Sequence, residues 1–177
     1  MGVKTILILG AGKVGRGFVA DLFDTAGYHL TFADAAEALA DHMRRAGQYT
    51  LLSLYPNGQT DSRKVTGYET VFTGDKDALI DAVCKDDLMS VSVFPKDFDN
   101  VAAMLAACIK ARADRGDQRQ LNLLLCTNIF HPTQLFEDAL LKALGQEYLT
   151  YYKEKVGIIE SIVIRMAVAP TEEQCAE

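Results

Sequence analysis

The sequence predicts an α/β protein built on a doubly wound, mainly parallel β-sheet, and three observations support this fold class. Short apolar runs alternate almost throughout with longer segments whose apolar residues recur at helical spacing. The first apolar run leads directly into a glycine-rich turn and then into a helical segment. The chain has 177 residues, 49% hydrophobic and 24% charged, which is typical of one globular domain, so we expect a single domain spanning residues 1–177.

The N-terminal part of the chain predicts two strand–helix units. Residues 3–9 form a continuous apolar run that fits a strand buried on both faces of a parallel sheet. Beyond the glycine turn, apolar residues from Val14 onward fall near helical spacing as far as Gly27. The second unit comprises a strand at residues 28–33 and a helix at residues 35–46.

The next segment changes character and predicts an antiparallel excursion after the second helix. Residues 49–55 alternate between apolar and polar types, and Pro56, Asn57 and Gly58 form a turn signal. Further β-type residues follow at 65–72, and we assign them to the same excursion.

The alternation of helix and strand then resumes to the end of the chain. The predicted helices and strands are a helix at 76–84, a strand at 88–93, a helix at 98–113, a strand at 121–126, helices at 133–144 and 146–154, and a strand at 157–167.

The turn after the first strand contains the motif Gly10-x-Gly12-x-x-Gly15, with Lys13 and Val14 between its last two glycines. The first glycine allows the tight turn, the second lets a pyrophosphate approach the backbone, and the third lets helix and strand pack closely. Amides at the helix N-terminus would supply an anion site. The motif therefore indicates a Rossmann dinucleotide-binding turn, and the alternative is a sharp strand-to-helix turn without a ligand.

Asp34 follows Gly15 by 19 residues and stands at the end of the second predicted strand. An acid at this position accepts hydrogen bonds from the adenosine ribose hydroxyls and repels a 2′-phosphate, which favours NAD over NADP. The alternative is that Asp34 only caps the following helix.

Lys13 and Arg16 place positive charge in the first helical turn, where cations oppose the helix dipole. We interpret both as candidates for holding phosphate, the alternative being two solvated side chains.

Two loops should line the nicotinamide side of the cleft, because ligands of open α/β sheets lie beyond the carboxyl ends of the strands. The first loop contains Phe94 and Pro95, and the second spans residues 127–131. In the second, Asn128 is a candidate for bonding a carboxamide or a substrate hydroxyl, although Thr127 and Asn128 could equally be turn or capping residues.

Composition argues against several other classes of function. A net charge of −6 without a Lys/Arg run disfavours nucleic acid as a partner, and the apolar runs are too short to cross a membrane. The four cysteines form no metal-ligand pattern, so we expect no metal site and a reducing, cytoplasmic location.

Four stretches, in the same order along the chain, carry a resemblance to a known family. They are residues 10–18, residues 30–34, residues 121–128 with 133–135, and residues 156–165 with Pro170. In these stretches the chain resembles the N-terminal Rossmann domain of the mannitol-1-phosphate 5-dehydrogenase and mannitol dehydrogenase family, the polyol-specific long-chain dehydrogenases. The resemblance departs at Phe94, Thr127 and Ile164, where the family usually has a small residue, often glycine, then an acidic residue, and then aspartate.

The resemblance implies an NAD-dependent oxidoreductase that acts on a sugar alcohol or its phosphate, of the mannitol 1-phosphate type. In the family a second, mostly helical domain supplies the catalytic lysine with its Asn and His partners. We expect that this chain lacks that domain, that the chain itself contains no catalytic residue, and that it is inactive in isolation. The alternative function is a stand-alone NAD(H)-sensing module, for which stable homodimerisation would be evidence.

Overall fold

The first strand lies at the centre of a parallel sheet because its side chains are apolar on both faces. The computed structural model describes residues 3–164, 166 and 168. In this part of the chain, a parallel sheet is formed by strands β1 Thr5–Leu9, β2 His29–Asp34, β5 Glu69–Phe72, β6 Leu88–Val91, β7 Leu121–Cys126 and β8 Val156–Ser161. A separate antiparallel hairpin consists of β3 Gln48–Leu54 and β4 Thr60–Thr66.

Helices connect the parallel strands and cover both faces of the sheet. They are α1 Ala20–Thr25, α2 Glu37–Ala46, α3 Lys76–Lys85, α4 Phe98–Asp114, α5 Pro132–Leu144 and α6 Leu149–Lys155. A π-helical turn at Gly15–Val19 precedes α1, and 3-10 turns at Pro95–Asp97 and Gln146–Tyr148 precede α4 and α6. Within the described residues, no helix is long and apolar enough to cross a membrane.

The strand order in the sheet is β5-β2-β1-β6-β7-β8, and every pair is parallel. Counted within this sheet alone, the order is third, second, first, fourth, fifth and sixth, which is the Rossmann arrangement. The predicted fold class is therefore confirmed, including the antiparallel hairpin after the second helix.

Two details of the predicted boundaries were wrong. Residues 65–72 were assigned as a whole to the antiparallel excursion, but Glu69–Phe72 pairs parallel to β2. Gly67, with a φ of +70°, turns the chain out of β4 and allows the change of direction. The predicted last strand at 157–167 ends at Ser161, and Ala167 lies outside the described residues.

Alternate side chains of β1 supply the two halves of the core. Leu7 and Leu9 face the layer formed by α3, α4 and α5, whereas Ile6 and Ile8 face the layer formed by α1, α2 and the hairpin. All four side chains are almost completely buried. Because both faces of β1 are covered, the glycine turn that follows it is held on a rigid support.

Candidate dinucleotide-binding site

The glycine turn lies at the point where the direction of the strand order reverses. From β1 the chain continues to β2 and β5 on one side, and later returns to β6, β7 and β8 on the other. Crossover connections on opposite sides leave a crevice at the carboxyl ends of β1 and β6, where open α/β sheets bind their ligands. The turn at Gly10 to Gly15 is at the β1 end of this crevice.

The three motif glycines have three different surroundings. Gly10 has a φ of +93° and donates its amide to the Ala33 carbonyl oxygen at 2.8 Å, and a Cβ there would overlap the Ser92 carbonyl oxygen. A Cβ on Gly15 would overlap the carbonyl oxygen of Gly10. A Cβ on Gly12 would meet no protein atom within 4 Å. Packing thus requires glycine at the first and third positions, and the second faces open space.

The helix after the turn begins with two α-helical residues, Lys13 and Val14, and continues as the π-helical segment Gly15–Val19. The Arg16 amide donates to the Gly12 carbonyl at 2.9 Å, and the Ala20 amide donates to Gly15, five residues back. Amides at the start of a helix have no intrahelical acceptor and carry the positive end of its dipole. π-Helical turns occur frequently at functional sites. The turn therefore presents amide donors beside the open space over Gly12.

The cationic and apolar residues of this turn differ in exposure. Lys13 is exposed, Val14 is half-buried and so is Arg16. The Nε of Arg16 is buried and has no hydrogen-bond partner among the described residues. Its positive charge lies close enough to Tyr49 and Tyr68 to oppose the rise in the pKa of both that burial causes. Arg16 is thus directed toward the hairpin side of the turn rather than fully into solvent.

Asp34 connects the end of β2 to the glycine turn. One carboxylate oxygen accepts from the Ala11 amide at 2.7 Å, and the other accepts from the Ala36 amide at 2.8 Å. The second bond lies in the approach to α2, but the N-cap position of α2 is Ala36, which makes no side-chain cap. Each carboxylate oxygen can accept a further hydrogen bond. Asp34 is half-buried and retains this capacity for a ligand hydroxyl.

The loop after β6 presents an aromatic residue to solvent. The Phe94 side chain is 72% exposed, and the Lys96 Nζ lies 5.8 Å from its ring centroid. Pro95 is the first residue of the 3-10 turn that leads into α4, where its fixed φ suits the start of a helix.

Asn128, in the loop after β7, binds the chain segment that follows β8. Its Nδ2 donates to the Val163 carbonyl at 2.7 Å, and its Oδ1 accepts from the Val163 amide at 2.9 Å. These two bonds show that Asn128 has a structural role, because it fixes the segment after β8. The ligand contact expected for Asn128 stays a prediction. Arg165 and Pro170, two positions of the family resemblance, lie outside the described residues.

A row of small side chains at the carboxyl ends of three strands was not predicted. Cys126 pairs with Ser161 in the sheet, and Ser92 follows β6 on the other side of Cys126. The Ser161 hydroxyl donates to the Leu125 carbonyl at 2.7 Å, and burial raises the pKa of the Cys126 thiol. Single serines after apolar strands are common, so this pattern gives little signal in a sequence.

A parallel sheet in this order, with a glycine turn at its switch point, defines a Rossmann-type NAD(P)-binding domain. Residues 4–176 match the family model described as the mannitol dehydrogenase Rossmann domain. The chain belongs to the mannitol dehydrogenase family of oxidoreductases.

Individual relatives are more distant. The chain is 25% identical over 163 residues to a mannitol-1-phosphate 5-dehydrogenase of Caldanaerobacter subterraneus subsp. tengcongensis, covering 92% of this chain and 42% of that protein. The chain therefore spans about two fifths of the length of this relative.

The similar solved structures support the fold alone. An octopine dehydrogenase structure with NADH and L-arginine has a TM-score of 0.60 at 11% identity, covering 93% of this chain and 40% of that one. Another, with NADH and agmatine, has a TM-score of 0.57 at 13% identity and covers 80% and 33%.

Proposed function

We propose that this chain is the NAD-binding half of an oxidoreductase that transfers hydride between NAD and a sugar alcohol or its phosphate. The observation that carries the proposal is the Asp34 carboxylate, hydrogen-bonded to the glycine turn at Ala11 and placed beside the open space over Gly12. When bound, NAD supplies the hydride acceptor, and the residues of this chain bind and orient it.

The residues of the crevice fit a dinucleotide. The open space over Gly12 and the adjacent amides suit a pyrophosphate, which a larger residue at position 12 would obstruct. Val14 belongs to the same turn, while Lys13 and Arg16 add positive charge near it. On the far side of the switch point, Phe94, Pro95 and Asn128 stand in the loops that follow β6 and β7, where we place the nicotinamide.

Asp34 favours NAD over NADP in this proposal. Its two oxygens already accept two backbone amides, which orients the carboxylate at the end of β2. A fixed negative charge there binds the ribose hydroxyls and opposes a 2′-phosphate. The residues that follow, Ala35, Ala36 and Glu37, contain no cation that would offset this charge.

The family and the curated relative support a polyol or polyol phosphate as the substrate. Oxidation of a hydroxyl requires a base to accept its proton while the hydride leaves, and the family resemblance implies that a second domain provides it. Large apolar side chains stand exposed at or after the carboxyl ends of β6, β7 and β8, namely Phe94, Phe130, Ile162 and Ile164. We propose that this face contacts the second domain in the whole protein.

Calorimetric titration of the 177-residue chain with NADH, NADPH and ADP-ribose tests the cofactor assignment. We expect NADH to bind more tightly than NADPH and ADP-ribose to retain much of the affinity. The substrate assignment needs the gene's full-length product, assayed with mannitol 1-phosphate, mannitol and other polyols. A chain that binds none of the three nucleotides would overturn the proposal.

A further inference from the structure

The β3–β4 hairpin lies outside the parallel sheet and rests on the π-helical turn of the dinucleotide site. The hydroxyl of Tyr49, on β3, donates a hydrogen bond to the Arg16 carbonyl oxygen at 3.0 Å. This bond joins two segments 33 residues apart in the chain. Through this hydrogen bond the hairpin contacts the backbone of Gly15–Val19.

The π geometry explains why the Arg16 carbonyl can accept this bond. In an α-helix the Ala20 amide would donate to Arg16, four residues back. Here the Ala20 amide donates to Gly15 instead, five residues back. The Arg16 carbonyl loses that α-helical donor and receives the Tyr49 hydroxyl. In the π form, the Tyr49 hydroxyl therefore supplies a hydrogen bond to the Arg16 carbonyl that the Ala20 amide does not.

Aromatic packing fixes the position of the Tyr49 hydroxyl. Its ring lies 6.2 Å from the Phe32 ring and 5.7 Å from the Tyr68 ring, measured between centroids. Burial raises the pKa of Tyr49 well above its usual range, so the phenol stays protonated and remains a donor. Because these two rings hold the Tyr49 ring, its hydroxyl stays within hydrogen-bond distance of the Arg16 carbonyl oxygen.

A second attachment anchors the hairpin to the same helix. Arg63, on β4, donates from Nη2 to Asp21 Oδ1 at 2.8 Å and also forms an ion pair with Asp24. Both acids follow directly after the π-turn, on α1. The hairpin is thus fixed to the helix one turn beyond the carbonyl that Tyr49 contacts.

We propose that Tyr49 is a positioning residue for dinucleotide binding. By holding the Arg16 carbonyl, it fixes the π-helical segment Gly15–Val19 and, through this segment, the preceding α-helical residues Lys13 and Val14, whose amides would face the pyrophosphate. This inference rests on the proposed cofactor function. It makes the hairpin a part of the cofactor site, although none of its residues needs to touch the ligand.

Tyr49→Phe is the test, and Tyr68→Phe is the matched control. Both substitutions remove one hydroxyl from the same aromatic cluster, but the Tyr68 hydroxyl donates to the Met43 carbonyl on α2, at 3.2 Å. Calorimetry gives the Kd for NADH, melting midpoints report stability, and hydrogen exchange with mass spectrometry reports the opening of residues 15–20 without ligand.

We expect Tyr49→Phe to weaken NADH binding about 3- to 10-fold, the effect of one hydrogen bond. Amide exchange in residues 15–20 should become faster.

For Tyr68→Phe we expect a change in Kd of less than twofold at a similar melting midpoint. Equal Kd changes in the two variants, or unchanged exchange at residues 15–20 in Tyr49→Phe, would overturn the positioning role. A wild-type chain that binds no NADH would instead contradict the proposed function. In that case, exchange in the ligand-free variants still decides whether Tyr49 stabilises the turn.

Discussion

The Asp34 carboxylate lies 2.7 Å from the Ala11 amide nitrogen, although 23 residues separate them in the chain. This hydrogen bond fixes the end of β2 to the glycine turn after β1. A charge-assisted bond of this kind is stronger than a neutral one and orients the carboxylate. The same side chain therefore has two functions in our interpretation, because it shapes the turn and also meets the ribose.

Replacing Asp34 should weaken NADH binding and remove the preference over NADPH. Asp34→Ala loses both a charged acceptor, worth about 1.5–3 kcal/mol, and the repulsion of a 2′-phosphate. We expect the NADH affinity to fall at least about tenfold, while NADPH binding changes little or improves. Asp41→Asn, an acid-to-amide change on α2 beyond the site, is the control and should leave both affinities unchanged. A full NADH preference retained in Asp34→Ala would contradict the assignment.

Substitutions at Gly12 and Gly15 should have opposite consequences. Gly12→Val places its side chain in open space, so the domain should fold with a melting midpoint close to that of the wild type. The branched side chain then occupies the pyrophosphate position and should abolish NADH binding.

Gly15→Ala should instead destabilise the protein, because its Cβ would overlap the Gly10 carbonyl oxygen. A cost of roughly 1–3 kcal/mol is typical of overpacking. Thermal melts with and without NADH separate the two effects. Ligand stabilisation that persists in a folded Gly12→Val protein would exclude the glycine turn from the site.

Local patterns were sufficient for most of the fold because each strand and helix has its own period and its own end signals. The assignment of Glu69–Phe72 failed because β-type residues show that a strand exists but not which strand it pairs with. Parallel pairing with β2 depends on the position at which the chain returns to the sheet after α2 and the hairpin, and this position is set by tertiary packing.

The geometry of the candidate site was predictable where a motif has a fixed spacing, as for Gly10, Gly12, Gly15 and Asp34, and cofactor binding by these residues stays a prediction. The bond from Tyr49 to the Arg16 carbonyl and the bonds from Asn128 to Val163 could not be predicted. Each joins a side chain to a backbone group more than 30 residues away. Because every residue has a backbone carbonyl, the residue type at the accepting position does not indicate the bond.

A charged network at the amino end of the sheet should make stability depend on pH in the acid range. Arg112 is completely buried, donates to the Val83 and Asp86 carbonyls at 2.8 Å, and lies 3.2 Å from Asp117. The Arg119 side chain, and to a lesser degree Arg112, lowers the pKa of Asp117 from 3.8 to about 2. A lowered pKa in the folded state gives stability that is complete above about pH 4 and is lost as the pH falls toward 2.

Asp117→Asn should therefore reduce stability at neutral pH, by roughly 1–3 kcal/mol, because Arg112 remains buried with less compensation. The difference from the wild type should shrink as the pH falls from 4 toward 2, where the wild-type carboxylate is itself protonated. Urea unfolding at pH 7 and at several acidic pH values measures this. Asp81→Asn removes an exposed ion pair with Arg115 and should cost almost nothing. A difference for Asp117→Asn that is constant across pH would show that charge is not the cause.

The 177-residue chain by itself should bind cofactor but oxidise no mannitol 1-phosphate. Hydride transfer needs a base at the substrate hydroxyl, and the titratable side chains nearest the crevice are poorly placed for this. His29 begins β2 at the opposite end of the sheet, 3.7 Å from Glu69, and His42 lies on α2. Among the histidines and lysines of the described residues, Lys96 and His131, both exposed, stand in the loops that follow β6 and β7.

Neither candidate is held in a site that would make it an efficient base. Lys96 stands in solvent above the exposed Phe94 ring, so no second group orients it toward a reacting atom. His131 has a φ of +51°, in the left-handed region, and precedes Pro132, the first residue of α5, and its side chain makes no cap hydrogen bond to that helix. NADH formation from mannitol 1-phosphate, mannitol and related polyols, followed at pH 7 to 9, should remain at background. Turnover that disappears in Lys96→Ala or His131→Ala would show that the chain is a complete enzyme and that no second domain is needed for the chemistry.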